Sequence, residues 1–351
     1  MSGKKVPHPV DDSWVVAVYG APKGSEPLGT AVLIDDRRAL TCAHFLREHK
    51  AEVWIAFPKA PGRASRKRRK VLPCSYDELD VAVLTFDEPL PDGVTPAPLR
   101  CPAPNHLIKL RWWAFGFPAP YTAGNSADGL VGEALATGVI RLDTRSRYGA
   151  AAGFSGAGLW CDDYRAVVAI VSHSSPQRGD GQAITLHEID CCLPELNLRR
   201  LAGKWSIGDA GDVALAAWEM KQGHRFWGRS EALARIRGWL DQEHPDRRVL
   251  VVTGRPGSGK SAVLGRIIAD AAHGSGAGGP LESVACAVYA QGKTALKVAA
   301  EMAQAASAKL PERARDFGPS LHWAPATRSG RRFNVIIDAL DKATQRPSAV
   351  R

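Results

Sequence analysis

No stretch of this 351-residue chain stays apolar for the twenty or so residues that a helix needs to cross a bilayer, which argues against a membrane protein. The opening Met-Ser-Gly-Lys-Lys lacks the apolar core of a secretory signal. Low-complexity sequence is missing too, and with 45% hydrophobic and 23% charged residues the composition is that of a globular protein long enough for two cored domains. The seven cysteines are odd in number and show no metal-ligand spacing. Cys191 and Cys192 are adjacent, so reduced thiols fit better than a disulfide framework or a zinc pair. The expected location is the cytoplasm. Acidic residues are the scarcer sign, 36 against 46 Lys and Arg, leaving a formal charge of +10 and an attraction to acidic partners. Much of that charge is local. Residues 63–70 (RASRKRRK) hold six basic side chains, and no aromatic is interleaved with them, which argues against nucleic-acid stacking and for a solvated loop between two strands.

What is present centres on Gly153-Phe154-Ser155-Gly156-Ala157-Gly158, a serine among glycines ahead of the apolar Leu159-Trp160. Glycine lets the backbone turn sharply and present one hydroxyl beside amide N–H groups. A serine hydroxyl is a weak nucleophile until a base takes its proton, so the reading requires a histidine and a carboxylate to orient it. Residues 29–34 read as a strand, 35–36 as a turn and 38–44 as the returning strand, with His44 at its end. Residues 79–84 place Asp80 at the head of a β-branched run. Asp77 lies farther from that run and is the second candidate. The chain order is His44, Asp80, Ser155.

Taken in that order, Thr-Cys-Ala-His, Leu-Asp-Val-Ala-Val-Leu and Gly-Phe-Ser-Gly resemble the trypsin/chymotrypsin-like serine peptidases, especially their compact bacterial members. An α/β-hydrolase fits worse, because its elbow wants glycine where Ala157 stands and its triad order differs. Short strands at 13–19, 52–57, 81–84, 107–115 and 166–172, with Gly, Pro and Asp turns between, argue for an all-β barrel or sandwich. The resemblance, over roughly residues 10–200, implies a double six-stranded barrel with the active site in the cleft between. It implies that Ser155 attacks the scissile carbonyl of a protein or peptide substrate, His44 takes and returns the proton, and Asp80 holds the imidazole tautomer. The amides of Gly153 and Ser155 would form the oxyanion hole. The same resemblance casts Ser172 as a support for the aspartate, with a plain turn-forming serine as the alternative, and His173 either at a specificity pocket or on the surface. Three departures stand out. Phe154 replaces the aspartate that usually precedes the nucleophile, so an ion pair with a freed N-terminus is not available. Ala157-Gly158 replaces the usual Gly-Pro. Gly149 stands where trypsins carry an acidic specificity group, so cleavage after Lys or Arg is not implied.

After residue 200 the strand cadence stops. Residues 201–225 read as a linker with a short helix at 212–218, and residues 226–351 as an α/β domain: a helix to 240, a buried strand at 249–253, then Gly254-Arg255-Pro256-Gly257-Ser258-Gly259-Lys260-Ser261 and a helix at 262–272. This matches Gly-x-x-x-x-Gly-Lys-Ser between a strand and a helix, the setting in which loop amides cradle phosphates, Lys260 reaches the β and γ phosphates and Ser261 holds Mg²⁺. A strand at 283–289, a helix at 294–306 and an acidic strand within 332–341 follow, with Asp338 binding Mg²⁺ through water. Phe-Trp-Gly-Arg, the phosphate loop and Ile-Ile-Asp-Ala-Leu-Asp resemble the STAND class of signal-transduction ATPases, which would give Gly228 and Arg229 a role in seating ATP. Lys342 replaces a common acidic residue, so hydrolysis is less secure than binding. The sequence stops thirteen residues after Asp338, before the further strands and lid of that class. The expectation is a multidomain chain, an all-β double barrel followed by an incomplete α/β P-loop NTPase domain, either a fragment or completed by a partner, with self-association through the unfinished sheet. The function expected is a serine endopeptidase coupled to a nucleotide switch in signalling or defence. The rival is an inactive, peptide-binding barrel on an NTPase scaffold.

Overall fold

A computed structural model of the chain divides into two compact units, Met1–Leu201 and Ala202–Arg351. The residues described are 8–23, 26–47, 52–62, 66–119, 121–135, 138–145, 153–175, 180–199, 201–202, 229–240, 242, 249–255, 257–273, 284, 286–318 and 333–344. The expected helix at 212–218, Gly149 and Gly228 lie outside them.

In the first unit, short β-branched and apolar runs punctuated by turn residues form strands that close on themselves. β1 (Val15–Tyr19), β2 (Gly29–Leu33), β3 (Arg38–Thr41), β4 (Val53–Ala56), β5 (Arg69–Tyr76) and β6 (Val81–Thr85) make a closed barrel in the order β1-β2-β3-β6-β5-β4. β7 (Arg111–Gly116), β8 (Asn125–Ala134), β9 (Val139–Thr144), β10 (Gly158–Cys161), β11 (Ala166–Ser175) and β12 (Asp180–Thr185) close in the order β10-β11-β12-β9-β8-β7. Closure removes free strand edges. All neighbouring strands in both barrels are antiparallel. The second barrel is filled by Trp112, Val131, Leu142, Leu159 and Val168, among others. β2 is buried at all five positions. Its outward face is covered as well: a Cβ added at Gly158 would lie 3.1 Å from Val32 and 3.0 Å from Trp14. A short helix, α1 (Leu186–Cys192), follows β12, capped by the Thr185 hydroxyl.

The strand read at 107–115 begins only at Arg111, because residues 104–109 form a 3-10 helix and a turn in which Lys109 takes φ +64°. The strand carrying His44 ends at Thr41, and His44 opens a 3-10 turn, His44–Leu46. The basic run enters β5. There Arg68 stacks over the Tyr19 ring at 3.7 Å, Arg69 pairs with Glu88 and Lys70 with Glu52, so half of its charge is engaged close by.

The second unit comprises α2 (Ser230–Leu240), α3 (Lys260–His273), β13 (Cys286–Tyr289), α4 (Ala295–Ala305) and β14 (Val335–Asp338). β13 and β14 are parallel, with Cys286 opposite Val335 and Tyr289 opposite Asp338. Strand alternation sorts their side chains. Ala287 and Ile336 pack with Ile236 of α2 and Val263 and Ile267 of α3, whereas Cys286, Val288 and Ile337 pack with Val298 of α4. Helices thus cover both faces. The strand expected at 249–253 does not form: residues 249–255 pair with no strand among those described. Leu250 and Val252 lean on the α2–α3 cluster, but Val249 and Val251 are 83% and 70% exposed. The period-2 alternation is that of a strand. What is missing is a neighbouring chain about 4.8 Å away to accept its hydrogen bonds.

Candidate active site

Ser155 is presented by a loop that only glycine can build. Gly153 has φ +101° and Gly156 φ +81°, both in the left-handed region. A Cβ on Gly153 would sit 2.4 Å from the Phe117 carbonyl oxygen, and one on Gly156 would sit 2.0 Å from that of Thr30. His44 comes from the turn after β3. Asp80 takes φ +53° between a 3-10 turn, Asp77–Leu79, and β6, a conformation an aspartate tolerates better than a branched residue.

The three side chains meet. His44 Nδ1 donates to Asp80 Oδ2 at 2.8 Å, and the His44 backbone N–H donates to Asp80 Oδ1 at 2.9 Å. On the far side of the ring, Ser155 Oγ lies 3.2 Å from His44 Nε2. The Ser155 hydroxyl also lies 3.4 Å from the Ser172 carbonyl oxygen, so its one proton has two acceptors, of which the imidazole nitrogen is the nearer. Asp80 is the carboxylate at the histidine, and Asp77 takes part through its carbonyl, which accepts the Asp80 amide at 3.2 Å. His44 and Asp80 side chains are each 29% exposed, open enough for a substrate to reach the imidazole. The amide N–H groups of Gly153 and Ser155 donate to no acceptor among the described residues. Two free donors beside a hydroxyl are the arrangement an oxyanion needs.

Ser172 is buried, but no hydrogen bond links its hydroxyl to Asp80 among the described residues. It meets the site through its backbone, because β11 turns the carbonyl toward Ser155. The His173 side chain lies outside the described residues.

Three more residues meet at the site: Thr41 and Cys42, to which the Thr-Cys-Ala-His motif assigned no role, and Thr30. Thr41 Oγ1 donates to the Thr30 carbonyl at 2.6 Å, and Thr30 Oγ1 donates to the Gly153 carbonyl at 2.9 Å. Cys42 Sγ donates to the Val171 carbonyl at 3.1 Å, the acceptor that also takes the Gly156 amide at 2.7 Å. Cys42, His44 and Asp80 bring potential metal-ligand atoms within 4.8 Å of one another. Burial, reinforced by the Asp80 charge, pushes the Cys42 thiol well up, so at neutral pH it is a protonated donor and a poor metal ligand. Burial likewise pushes Cys161 up to about 12. Native-state alkylation with iodoacetamide should therefore mark Cys74, Cys191 and Cys192, which are exposed, and spare the buried Cys42, Cys101, Cys161 and Cys286. Peptide mapping that finds Cys42 modified in the folded chain would contradict this.

Residues 29–170 match the family model described as trypsin-like peptidase domain, a span that contains His44, Asp80 and Ser155. Solved structures similar to the chain include neuropsin, a serine protease expressed in the limbic system of mouse brain, at 18% identity over 54% of this chain and 97% of that one, with a TM-score of 0.41. A serine endoprotease from Yersinia pestis is 20% identical over 53% of this chain and 63% of that one, TM-score 0.41. No curated protein matches the sequence. The matched span takes in strands of both closed barrels and the loops that bring His44, Asp80 and Ser155 together.

In the second unit, Gly257 (φ +76°) and Gly259 (φ +84°) shape the loop that enters α3. Lys260 Nζ donates to the carbonyls of Gly254 at 2.8 Å and Arg255 at 3.1 Å. Arg229 Nη2 donates to the Ser258 carbonyl. The loop 254–261 has no carboxylate, it carries two cations, and the first amides of α3 have no intrahelical acceptor. That donor set fits a phosphate. Ser261 sits in the first turn of α3 and Asp338 ends β14. Helix and strand share one apolar cluster, but no hydrogen bond joins Ser261 to Asp338 among the described residues. Asp338 Oδ1 instead accepts the Ala339 amide at 2.8 Å.

No helix among the described residues is long and apolar enough to cross a membrane.

Proposed function

We propose that the first unit is a serine endopeptidase and the second a nucleotide-binding switch acting on it, in signalling or defence. The observation that carries the peptidase reading is the continuous line from Asp80 through His44 to Ser155. Ser155 Oγ attacks the substrate carbonyl carbon as its proton passes to His44 Nε2. The imidazolium so formed is stabilised by Asp80, and the carbonyl electrons move onto oxygen, held by the Gly153 and Ser155 amides. Each such donor contributes about 2.7–4 kcal/mol to transition-state stabilisation. Collapse breaks the C–N bond, Nε2 returns the proton to the leaving amine, and water repeats the sequence on the acyl-serine. Purified full-length chain should cleave casein, and the His44→Ala variant should not. Equal cleavage by both would remove the catalytic reading.

The nucleotide reading is supported by the loop 254–261 at the head of α3 and by Arg229 against it. ATP would bind with its phosphates over the loop, with Lys260 and Arg229 as counter-charges and Ser261 and Asp338 as the groups for Mg²⁺. Mg²⁺ supplies charge neutralisation of the phosphates when bound. Lys260→Ala removes a charge-assisted contact of about 1.5–3 kcal/mol, so titration calorimetry should show ATP affinity falling about ten- to hundredfold. Unchanged affinity would sink the assignment. The exposed Val249 and Val251 support self-association along that unpaired segment. Val251→Lys should then lower the sedimentation coefficient of the full chain, and an unchanged value would contradict it.

A further inference from the structure

Thr30 is a buried residue of the first barrel, 1% exposed, whose amide and hydroxyl both serve a loop more than 120 positions away. Its amide donates to the Ser155 carbonyl at 3.0 Å, and its hydroxyl donates to the Gly153 carbonyl at 2.9 Å. Its own carbonyl accepts from Thr41 Oγ1 at 2.6 Å. One residue thus grips the carbonyls on both sides of the nucleophile. The Gly153 carbonyl receives a second donor, the Phe117 amide at 3.0 Å, and the Phe154 carbonyl between them is taken by the Ala157 amide at 2.8 Å. Every carbonyl from 153 to 155 is therefore tied down. The Phe154 carbonyl shares a peptide plane with the Ser155 N–H, so holding the one aims the other in the opposite direction. At Gly153, whose φ of +101° only glycine adopts freely, fixing the carbonyl restrains the residue that carries the other free amide.

We propose that Thr30 is a positioning residue for the oxyanion hole: through its hydroxyl on the Gly153 carbonyl, the histidine-bearing barrel fixes the 153–154 peptide plane, which lies between the two planes that carry the Gly153 and Ser155 amides. This rests on the peptidase reading above. The hydroxyl matters more than the bulk of the side chain, because the bond is to a carbonyl that otherwise keeps only one donor. Thr41 acts behind it, holding the Thr30 carbonyl.

The test uses the full chain and a fluorophosphonate probe, whose phosphoryl oxygen needs the same amides, and records the labelling rate constant and the labelled fraction separately. Thr30→Val, equal in shape but without the hydroxyl, should lower the rate constant ten- to a hundredfold with the labelled fraction and the pH midpoint unchanged. Loss of one oxyanion donor costs about a hundredfold or more, and a donor left present but misaimed costs less. Thr30→Ser should restore the rate to within threefold of the parent. A fall in labelled fraction at an unchanged rate constant would mean that Thr30 only supports folding, and would overturn the proposal. Because the rate constant is read from whatever fraction labels, a poorly folding Val variant still decides the question. An unchanged rate and fraction would overturn it as well. Absence of labelling in the parent chain would instead remove the peptidase reading, a result distinct from either.

Discussion

Asp80→Asn is expected to lower turnover of a peptide substrate about ten-thousandfold at neutral pH, close to 5.5 kcal/mol of transition-state stabilisation, with KM changed only a few-fold. The geometry says why. Asp80 Oδ1 accepts the His44 backbone N–H at 2.9 Å, an acceptor position that the asparagine oxygen must fill. The amide nitrogen then takes the place of Oδ2, now 2.8 Å from Nδ1, and presents a donor to it. With that donor nearer than the oxygen at the Oδ1 place, 3.0 Å away, Nδ1 accepts, the ring proton moves to Nε2, and Nε2 can no longer take the Ser155 proton. Steady-state kinetics on the two proteins check this. A loss below about tenfold would mean that Asp80 does not set the tautomer.

The second large effect is on stability. Gly156→Ala places a Cβ 2.0 Å from the Thr30 carbonyl oxygen and 2.2 Å from Thr41 Oγ1, both buried and neither able to swing aside. The left-handed φ of +81° adds about 1–2 kcal/mol and the forced backbone shift about 1–3 kcal/mol. A total near 2–5 kcal/mol should lower the unfolding midpoint of the first unit by roughly 10 °C and abolish probe labelling. Gly62→Ala is the control: its φ is +84°, but a Cβ there meets nothing within 4 Å, so only the conformational cost applies. Calorimetry showing equal shifts for the two would contradict the packing argument.

The meeting of Ser155, His44 and Asp80 was legible because the proposed chemistry demands fixed residue types beside readable turns: Ser155 between glycines, His44 after an apolar strand, Asp80 ahead of one. The cadence of short β runs likewise pointed to an all-β barrel or sandwich, and the closed double barrel was what the resemblance implied. The contacts of Thr30, Thr41 and Cys42 were not legible: a threonine in a strand looks the same whether its hydroxyl meets solvent or, as at Thr30, a carbonyl more than a hundred residues away. Ser172 was read either as a support for Asp80 or as a turn-forming serine, and it meets Ser155 through its carbonyl, a distinction that lies in register, not residue type. The run at 249–253 is almost continuously apolar, as a buried strand is, yet pairing depends on a neighbour that its own composition does not specify.

The central claim is that Ser155 is a nucleophile activated by His44. The most direct measurement is mass spectrometry of the full chain after fluorophosphonate treatment, beside the Ser155→Ala variant. The account predicts one adduct per parent chain, on the peptide containing Ser155, and none on the variant. Equal modification of both, or an adduct elsewhere with Ser155 untouched, would contradict it.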